Sequence, residues 1–578
     1  MGSLEEIRYV DVLVVGGGPV GLVTAYQLAK FGGVSVSIIE KRPKSTQDKY
    51  GRAITLYPRS SEMLDQLGLA EDLAQQCFAC RSTVSYDAQG HEVSGRGWYF
   101  MENMKDTQWD FALVLRQRYQ EEIFRQKLRE EGVRLEAPVE LTNISDLDQK
   151  NEKGYKIKAD VRDGISGAVS SIVCKYLIGA DGGHSFVRRA YDIPFDGSTS
   201  EDKWVRIDGI IETNMPKNRV YGAIESPTHG NVLWAALDHK ATRIGFAFTP
   251  ERQNGYAEFN EAAAVAEAIE SVKPFSLTFK KVDWFTVYEV GQRIARNFFI
   301  KDSVFLAGDA CHTHSSGAAQ GMNTGMHDSV NLGWKLSMVL RGQALPSLLS
   351  TYEEERLPNV QKLINYDKDI SRLMTMQLPI GWTGDPNADP NEILGHVMEE
   401  ASTFTSGLSI AFAPNILNIH SSFVPLSDSA PGPGQRGPDV QLQKPGTFET
   451  TRLHRETPNN GRFHVVVFAG EPAKTTKFLA AFSDALDRST VFVKAGLPVR
   501  WLTIPAVTGP SAFELLGGNP IGRVFYDREK TAHERYGVDL QKGAVIVLRP
   551  DGWIGTVVSL GGEAVADLEK YFAGFLVL

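Results

Sequence analysis

The chain has 578 residues, 42% of them apolar and 23% charged, with a net charge of −9 and four cysteines. Its length predicts two or three packed domains rather than one, and its acidic balance excludes a general attraction to nucleic acid or to an anionic membrane surface. Four cysteines in so long a chain make no disulfide framework. The N-terminus shows no basic stretch followed by an apolar core, and no apolar run is long enough to span a bilayer, so the expected location is the cytoplasm.

Residues 9–15 form a short apolar run with β-branched side chains, as a buried parallel strand should. Gly16, Gly18 and Gly21 follow at the G-x-G-x-x-G spacing, and Pro19 opens a helix predicted over 19–31 and closed by Gly32 and Gly33. A second strand over 34–39 ends in Glu40, with Lys41 beside it, where an acid takes a ribose diol. Strand, helix and acid in register predict a dinucleotide site whose pyrophosphate sits on the helix N-terminus. Arg52 and Arg59 come just after this strand, where a cation can reach that pyrophosphate. The pair Cys77 and Cys80 follows an amphipathic segment and has no second ligand pair, so its C-x-x-C spacing reads as accidental.

Residues 176–179 read as a strand breaking into a glycine-rich turn that carries Asp181. Strand-like runs at 205–211, 232–237 and 244–248 predict a sheet between 200 and 290. Trp204, Trp234, Phe246, Phe248 and Trp284 offer ring-binding surfaces there, with one or two expected in a pocket and the rest in packing. Further on, Phe305-Leu-Ala-Gly308-Asp309 places a carboxylate at another strand end, suited to hydrogen-bonding a polyol. A dinucleotide held at its adenosine end by one segment and at a ribitol by a remote one is FAD rather than NAD. Gln320, Gly321, Met322 and Asn323 precede a helical pattern carried by Met326, Val330, Leu332, Leu336 and Leu340. The N–H groups at that helix start favour a neighbouring anion such as a reduced flavin. His312 and His314 lie close to Asp309, but no metal is expected.

Prolines between 375 and 435 mark loops and a crossover. Beyond it, strands at 463–468, 499–504 and 544–548, a helix near 474–485 and the Arg549-Pro-Asp551-Gly552 turn predict a further α/β unit.

These motifs, in this order, resemble the class A flavoprotein aromatic hydroxylases, and within them the fungal phenol 2-monooxygenases. The resemblance spans residues 8–400 through Gly16-x-Gly18-x-x-Gly21, Arg52, Asp181-Gly182 and Gly308-Asp309. It implies an α/β fold in which a Rossmann-like FAD-binding domain (1–80, 110–200 and 290–400) is interleaved with a β-sheet substrate domain (81–109 and 201–289). A crossover at 401–433 then leads to a C-terminal thioredoxin-like domain (434–578). With all four cysteines at or before Cys311, that last domain has no dithiol chemistry, which leaves packing and dimerisation.

The resemblance further implies non-covalent FAD, with Arg52 and Gln117 at the flavin and its ribityl chain, and Gly321, Met322 and Asn323 facing the isoalloxazine. Asp181 would serve both FAD and NADPH, and His184 and Arg188 would contact NADPH. The implied chemistry is hydroxylation of a phenolic ring by NADPH and O2 through a flavin C4a-hydroperoxide, in a homodimer that needs neither nucleic acid nor membrane. Tyr288 matches a segment with a catalytic tyrosine able to relay the substrate's phenolic proton, and Asp208 is a second acid/base candidate. Three departures bear on the substrate: Ser316 stands where proline is usual, Ala319 where glycine is common, and Ile54 where phenol hydroxylases carry a carboxylate. The same scaffold also supports decarboxylative hydroxylation, epoxidation, Baeyer–Villiger oxidation or non-catalytic FAD binding.

Overall fold

Strand Ile7–Val15 runs parallel to Val36–Ile39 on one side and to Val169–Gly179 on the other, and the latter runs parallel to Val304–Leu306. The computed structural model describes residues 7–49, 53–147, 153–315, 317–494, 496–518 and 520–578. In register, Val15 faces both Ile39 and Gly179, and Gly179 faces Leu306. The loops beginning at Gly16, Glu40, Ala180 and Ala307 therefore leave the sheet at one edge, where an open parallel sheet receives its ligands. Helix Pro19–Phe31 follows the glycine loop as expected, and Gly32 and Gly33 end it with φ of +74° and +71°. The second strand starts two residues later than its apolar pattern, because Ser35 exchanges side-chain and backbone hydrogen bonds with Asp11 instead.

A second sheet has seven strands, in the order 312–313, 277–295, 195–213, 242–248, 230–236, 221–226 and 83–86. Its two faces follow strand parity. Val205, Ile207, Ile244, Phe246, Val232 and Trp234 pack under helix Glu261–Ser271 with Ala264 and Ala268. Trp204, Arg206, Asp208, Arg243 and Tyr288 occupy the other face, turned towards the parallel sheet.

The third main sheet has the order 523–524, 499–505, 463–470, 544–548 and 554–559, with helices Pro472–Arg488 and Glu563–Ala573. Phe463–Gly470 is parallel to Val499–Pro505 and antiparallel to Ala544–Leu548. This unit shares a core with the rest of the molecule: Phe463, Phe572 and Phe575 pack with Trp334, Met338 and Leu348. Its turn at 549–552 enters a fully buried ionic network. There Arg549 grips Glu355 (2.9 Å) and Asp551 (2.7 Å), while Lys335 Nζ also reaches Glu355 (2.7 Å). Arg59 belongs to the same seam and not to the pyrophosphate. It is buried, paired with Glu62 at 2.9 Å, donates to Asp551 O at 2.6 Å and stacks on Trp553. Cys77 and Cys80 are free thiols whose pKa values burial pushes up to about 11, which keeps both in the unreactive thiol form.

Candidate active site

Two contiguous cavities, of about 740 and 370 Å³, follow the ligand edge of the parallel sheet and share Gly18, Gln117, His184 and Asp309. At the smaller one the glycine loop turns back under the chain. Gly16 has φ +115°, and a Cβ there would lie 2.1 Å from Ala180 O. A Cβ on Gly21 would lie 2.0 Å from Gly16 O, so helix and strand close up only without it. Gly18 differs: a Cβ there meets nothing within 4 Å, leaving its backbone and that of Pro19 open to the larger cavity. The Glu40 carboxylate accepts from Gly17 N and Arg42 N, both at 2.9 Å, and so holds the loop in shape beside Lys41.

Gln117 begins helix Gln117–Glu130, accepts from Ala53 N at 3.3 Å and donates to Glu121 at 2.9 Å. Asp181 Oδ2 accepts from Phe186 N at 2.6 Å and Val187 N at 3.2 Å, whereas buried Oδ1 has no partner among the described residues. Burial pushes the Asp181 carboxyl up from its ordinary range, against the pull of these hydrogen bonds. Asp309 stands exposed in the turn Gly308–Ala310, shared by both cavities. An open glycine backbone, an unpartnered Asp181 oxygen and an exposed Asp309 carboxylate fit a ligand with a diphosphate and flanking hydroxyls. Arg52 lies outside the described residues, as does Ser316.

The 20-residue helix Gly321–Leu340 points its N-terminus into the larger cavity through Gly321 and Met322. Two neighbours expected there are turned elsewhere. Gln320 donates to Thr405 O at 2.7 Å, which ties this loop to the crossover segment. Asn323 is spent on the strand before it: it accepts from Tyr57 N at 2.8 Å and donates to Thr55 O at 3.0 Å and Ala319 O at 2.9 Å. Below them, Asp328 fixes the Asp309 turn from within the helix. It accepts from Gly308 N (2.9 Å) and Arg356 (2.7 Å) and lies 2.7 Å from His312. Burial alone would raise the Asp328 carboxyl, but His312 and Arg356 outweigh it and hold the pKa at about 2. His314, by contrast, lines the larger cavity.

Past the helix start, the wall comes from the seven-stranded sheet: Arg206, Tyr221, Leu233, Arg243 and Tyr288, with Ile54 beside them. Asp208 is not part of this wall. It pairs bidentately with Arg243, at 2.7 and 2.9 Å, and is buried behind it, where it positions the arginine instead of reaching a substrate. Trp234, Phe246 and Phe248 face the opposite side of the sheet, Trp204 is the cross-strand partner of Tyr288, and Trp284 lies against Arg243. None of the five aromatic candidates is among the residues lining the larger cavity, whose phenyl and phenol rings come from Phe195, Tyr221 and Tyr288.

Known proteins place this geometry. The model of an FAD binding domain matches residues 9–367, and that of the phenol hydroxylase C-terminal dimerisation domain matches residues 511–578. The chain belongs to the FAD-dependent aromatic monooxygenases. It is 27% identical to the phenol 2-monooxygenase fsqG of Aspergillus fumigatus over 98% of this chain and 96% of that one. It is 30% identical to the 3-hydroxybenzoate 4-monooxygenase of Comamonas testosteroni over 98% and 95%. Among solved structures, the flavin-dependent monooxygenase PieE, in complex with FAD and substrate, superposes with a TM-score of 0.73 at 21% identity, covering 98% of both chains.

For this monooxygenase, Glu40, Gln117, Asp181, Asp309, Gly321 and Met322 are all brought to one groove. Of the two candidates for a reductant, His184 is exposed where the cavities meet. Arg188 lines the larger cavity too, yet it donates to Ala310 O (2.8 Å) and Gly183 O (2.9 Å) and stacks on Phe195, bracing the Asp181 and Asp309 loops. Sequence reasoning missed Arg206, Arg243, Tyr221 and the brace Asp328. Arg206 had a visible signal, a charge flanked by Val205 and Ile207 in an apolar strand. The others become functional only through cross-strand and helix–turn contacts.

Proposed function

We propose that this monooxygenase hydroxylates a phenolic ring, ortho to an existing hydroxyl, with NADPH as reductant and O2 as oxygen source. The observation that carries this reading is a single cavity walled at one end by the FAD motifs Gly18, Asp309 and Gly321 and at the other by Tyr221, Tyr288 and two arginines. FAD held there would supply the redox chemistry of O2 activation and oxygen transfer. The chain supplies the rest. Gly18 and the start of helix Pro19–Phe31 receive the diphosphate, Asp309 and Gln117 the ribityl hydroxyls, and Glu40 the adenosine ribose. The helix N-terminus at Gly321, which opens into the larger cavity, would stabilise negative charge on a flavin held there. Ile54, Leu233 and Met322 exclude water, which limits wasteful loss of the activated oxygen. The Tyr288 hydroxyl exchanges a proton with the substrate hydroxyl, making the ring a better nucleophile. His184, exposed where the two cavities meet, is the group we assign to transient NADPH contact.

The domain division is part of the same proposal: FAD-binding segments 1–80, 110–200 and 290–400, substrate segments 81–109 and 201–289, and a crossover at 401–433. The sheet order 499–505, 463–470, 544–548, 554–559 supports a thioredoxin-like C-terminal unit, used for packing and for the homodimer that the dimerisation-domain match supports. Among the described residues no helix is long and apolar enough to cross a membrane, and the cytoplasm is the proposed location. The test is NADPH oxidation by FAD-loaded protein against a panel of phenols under 18O2. Stimulated oxidation with one 18O atom gained by the ring is expected. A product that has lost CO2, or gained an epoxide or ester oxygen, would move the reaction to another outcome of the same scaffold; no stimulation by any aromatic would overturn the reading.

A further inference from the structure

Sulfur reaches the two cavities at a single position. Among the described residues that line them there is no cysteine, and Met322 is the one methionine. It stands at the start of helix Gly321–Leu340 and is 8% exposed. Other methionines provide the contrast. Met326, one turn further along the helix, is fully buried in the core, and Met376 is 44% exposed but lines neither cavity. The same thioether thus occurs packed, wet, and walled into the space that FAD and a ring would share.

Chemistry separates Met322 from the rest of the wall. Oxygen transfer needs an electron-rich acceptor, and a thioether offers a sulfur lone pair that requires no deprotonation. A phenol becomes a comparable acceptor only on ionisation, and burial pushes the Tyr221 phenol up, away from it. Concentration favours the wall as well. A side chain bordering a cavity of about 740 Å³ is present there at about 2 M, whereas a substrate must be collected from dilute solution. With the ring site empty, Met322 is the sulfur acceptor that remains.

We propose that Met322 is a self-oxidation site, which takes an oxygen atom from O2 at the reduced flavin when no aromatic substrate is bound. The step balances as a monooxygenation. One atom of O2 bonds to the Met322 sulfur through its lone pair, the O–O bond breaks, and the other atom leaves as water; the two electrons and two protons come from reduced FAD. The product is methionine sulfoxide, which methionine sulfoxide reductases reverse. Its new oxygen is a hydrogen-bond acceptor at a helix start, where backbone N–H groups lack intrahelical partners. It therefore competes with the flavin edge for them and loosens FAD. This rests on the O2-dependent reading above and deepens it.

The test uses FAD-loaded protein without any aromatic, reduced anaerobically in the dark with stoichiometric dithionite and then mixed with 18O2. The cycle is repeated with catalase present to destroy free peroxide, and peptide mass spectrometry reads the label residue by residue. Met322 is expected to gain one 18O atom and to exceed Met376 by about tenfold or more, because it alone shares the cavity with the oxidant; Met326 should stay unlabelled. Met322→Leu, similar in volume, should release less FAD than the parent over the same cycles, and reductase treatment of the parent should restore its FAD retention. No label at Met322 overturns the proposal, and so does a label no greater than that at Met376, the mark of a diffusing oxidant. Equal FAD loss from the parent and the leucine variant overturns the competition at the helix start. If Met322 is labelled but no phenol stimulates NADPH oxidation or gains 18O, the phenol hydroxylation reading fails and the self-oxidation site stands.

Discussion

Replacing Asp309 by alanine separates cofactor binding from folding more cleanly than any other change in the groove. The carboxylate is exposed at the junction of the two cavities, and no described residue hydrogen-bonds to it, while Gly308 N is held independently by Asp328. An exposed change of this kind leaves fold stability within roughly 0.5 kcal/mol. Loss of a charged hydrogen bond to a ribityl hydroxyl removes about 1.5–3 kcal/mol, which raises the Kd for FAD by roughly 10- to 150-fold. Asp309→Asn, which keeps an acceptor without the charge, should fall between the two. The measurement is quenching of FAD fluorescence on titration into apoprotein, with thermal unfolding of the same apoproteins as control. An Asp309→Ala variant that binds FAD as tightly as the parent refutes the ribityl contact, and one whose apoprotein melts early shows the residue to be structural.

Tyr288→Phe should retain FAD and continue to oxidise NADPH, while the share of NADPH ending in hydroxylated product falls, by up to roughly 10²–10⁴-fold in the oxygen-transfer step; parallel assays of NADPH, product and H2O2 check it, and unchanged coupling excludes the proton relay. Ala319 holds φ +53° beside the cavity. Relief of about 1–2 kcal/mol of left-handed strain, less the roughly 0.4–1 kcal/mol that a glycine adds to unfolded-chain entropy, predicts that Ala319→Gly shifts the urea midpoint upwards. Asp328 has a folded-state pKa of about 2 against an ordinary 3.8. Because the folded value is the lower one, its contribution of about 2 kcal/mol is complete above pH 4 and is lost as the pH falls towards 2; Asp328→Asn should flatten stability over that interval in acid titrations. Arg549→Met strands Glu355 without its main partner, and a cost of about 3–5 kcal/mol should appear as an early unfolding midpoint and poor yield of soluble protein.

The FAD half was legible because its signals are local. Glycine spacing, strand period and the acids at strand ends are adjacent in sequence, and the strand, helix and loop from 7 to 40 fell within two residues of expectation. The substrate wall was legible only to the level of strands. Period two shows that Val205 and Arg206 face opposite ways, but helix Glu261–Ser271 decides which side is the core, and it thereby removed Trp234, Phe246 and Phe248 from the cavity. Gln320 and Asn323 show a related effect. Their place beside Gly321 suggested cofactor contact, whereas their amides are used by Thr405 and by residues 55–57, segments remote in the chain. Asp208 looked like a free strand-end acid until Arg243, cross-strand from it, took both oxygens.

The ionic seam between Glu355 and Arg549 also sets a timetable. The two residues are 194 positions apart, so at roughly 5–20 residues per second Glu355 emerges from the ribosome about 10–40 s before its arginine partner. During that interval the helices carrying Lys335 and Glu355 have no C-terminal sheet to pack against, and Trp334 and Met338 remain wet. The dinucleotide groove is thus translated long before the scaffold behind it can lock, and ribosome-arrested chains ending short of residue 549 should stay open to protease however much FAD is supplied.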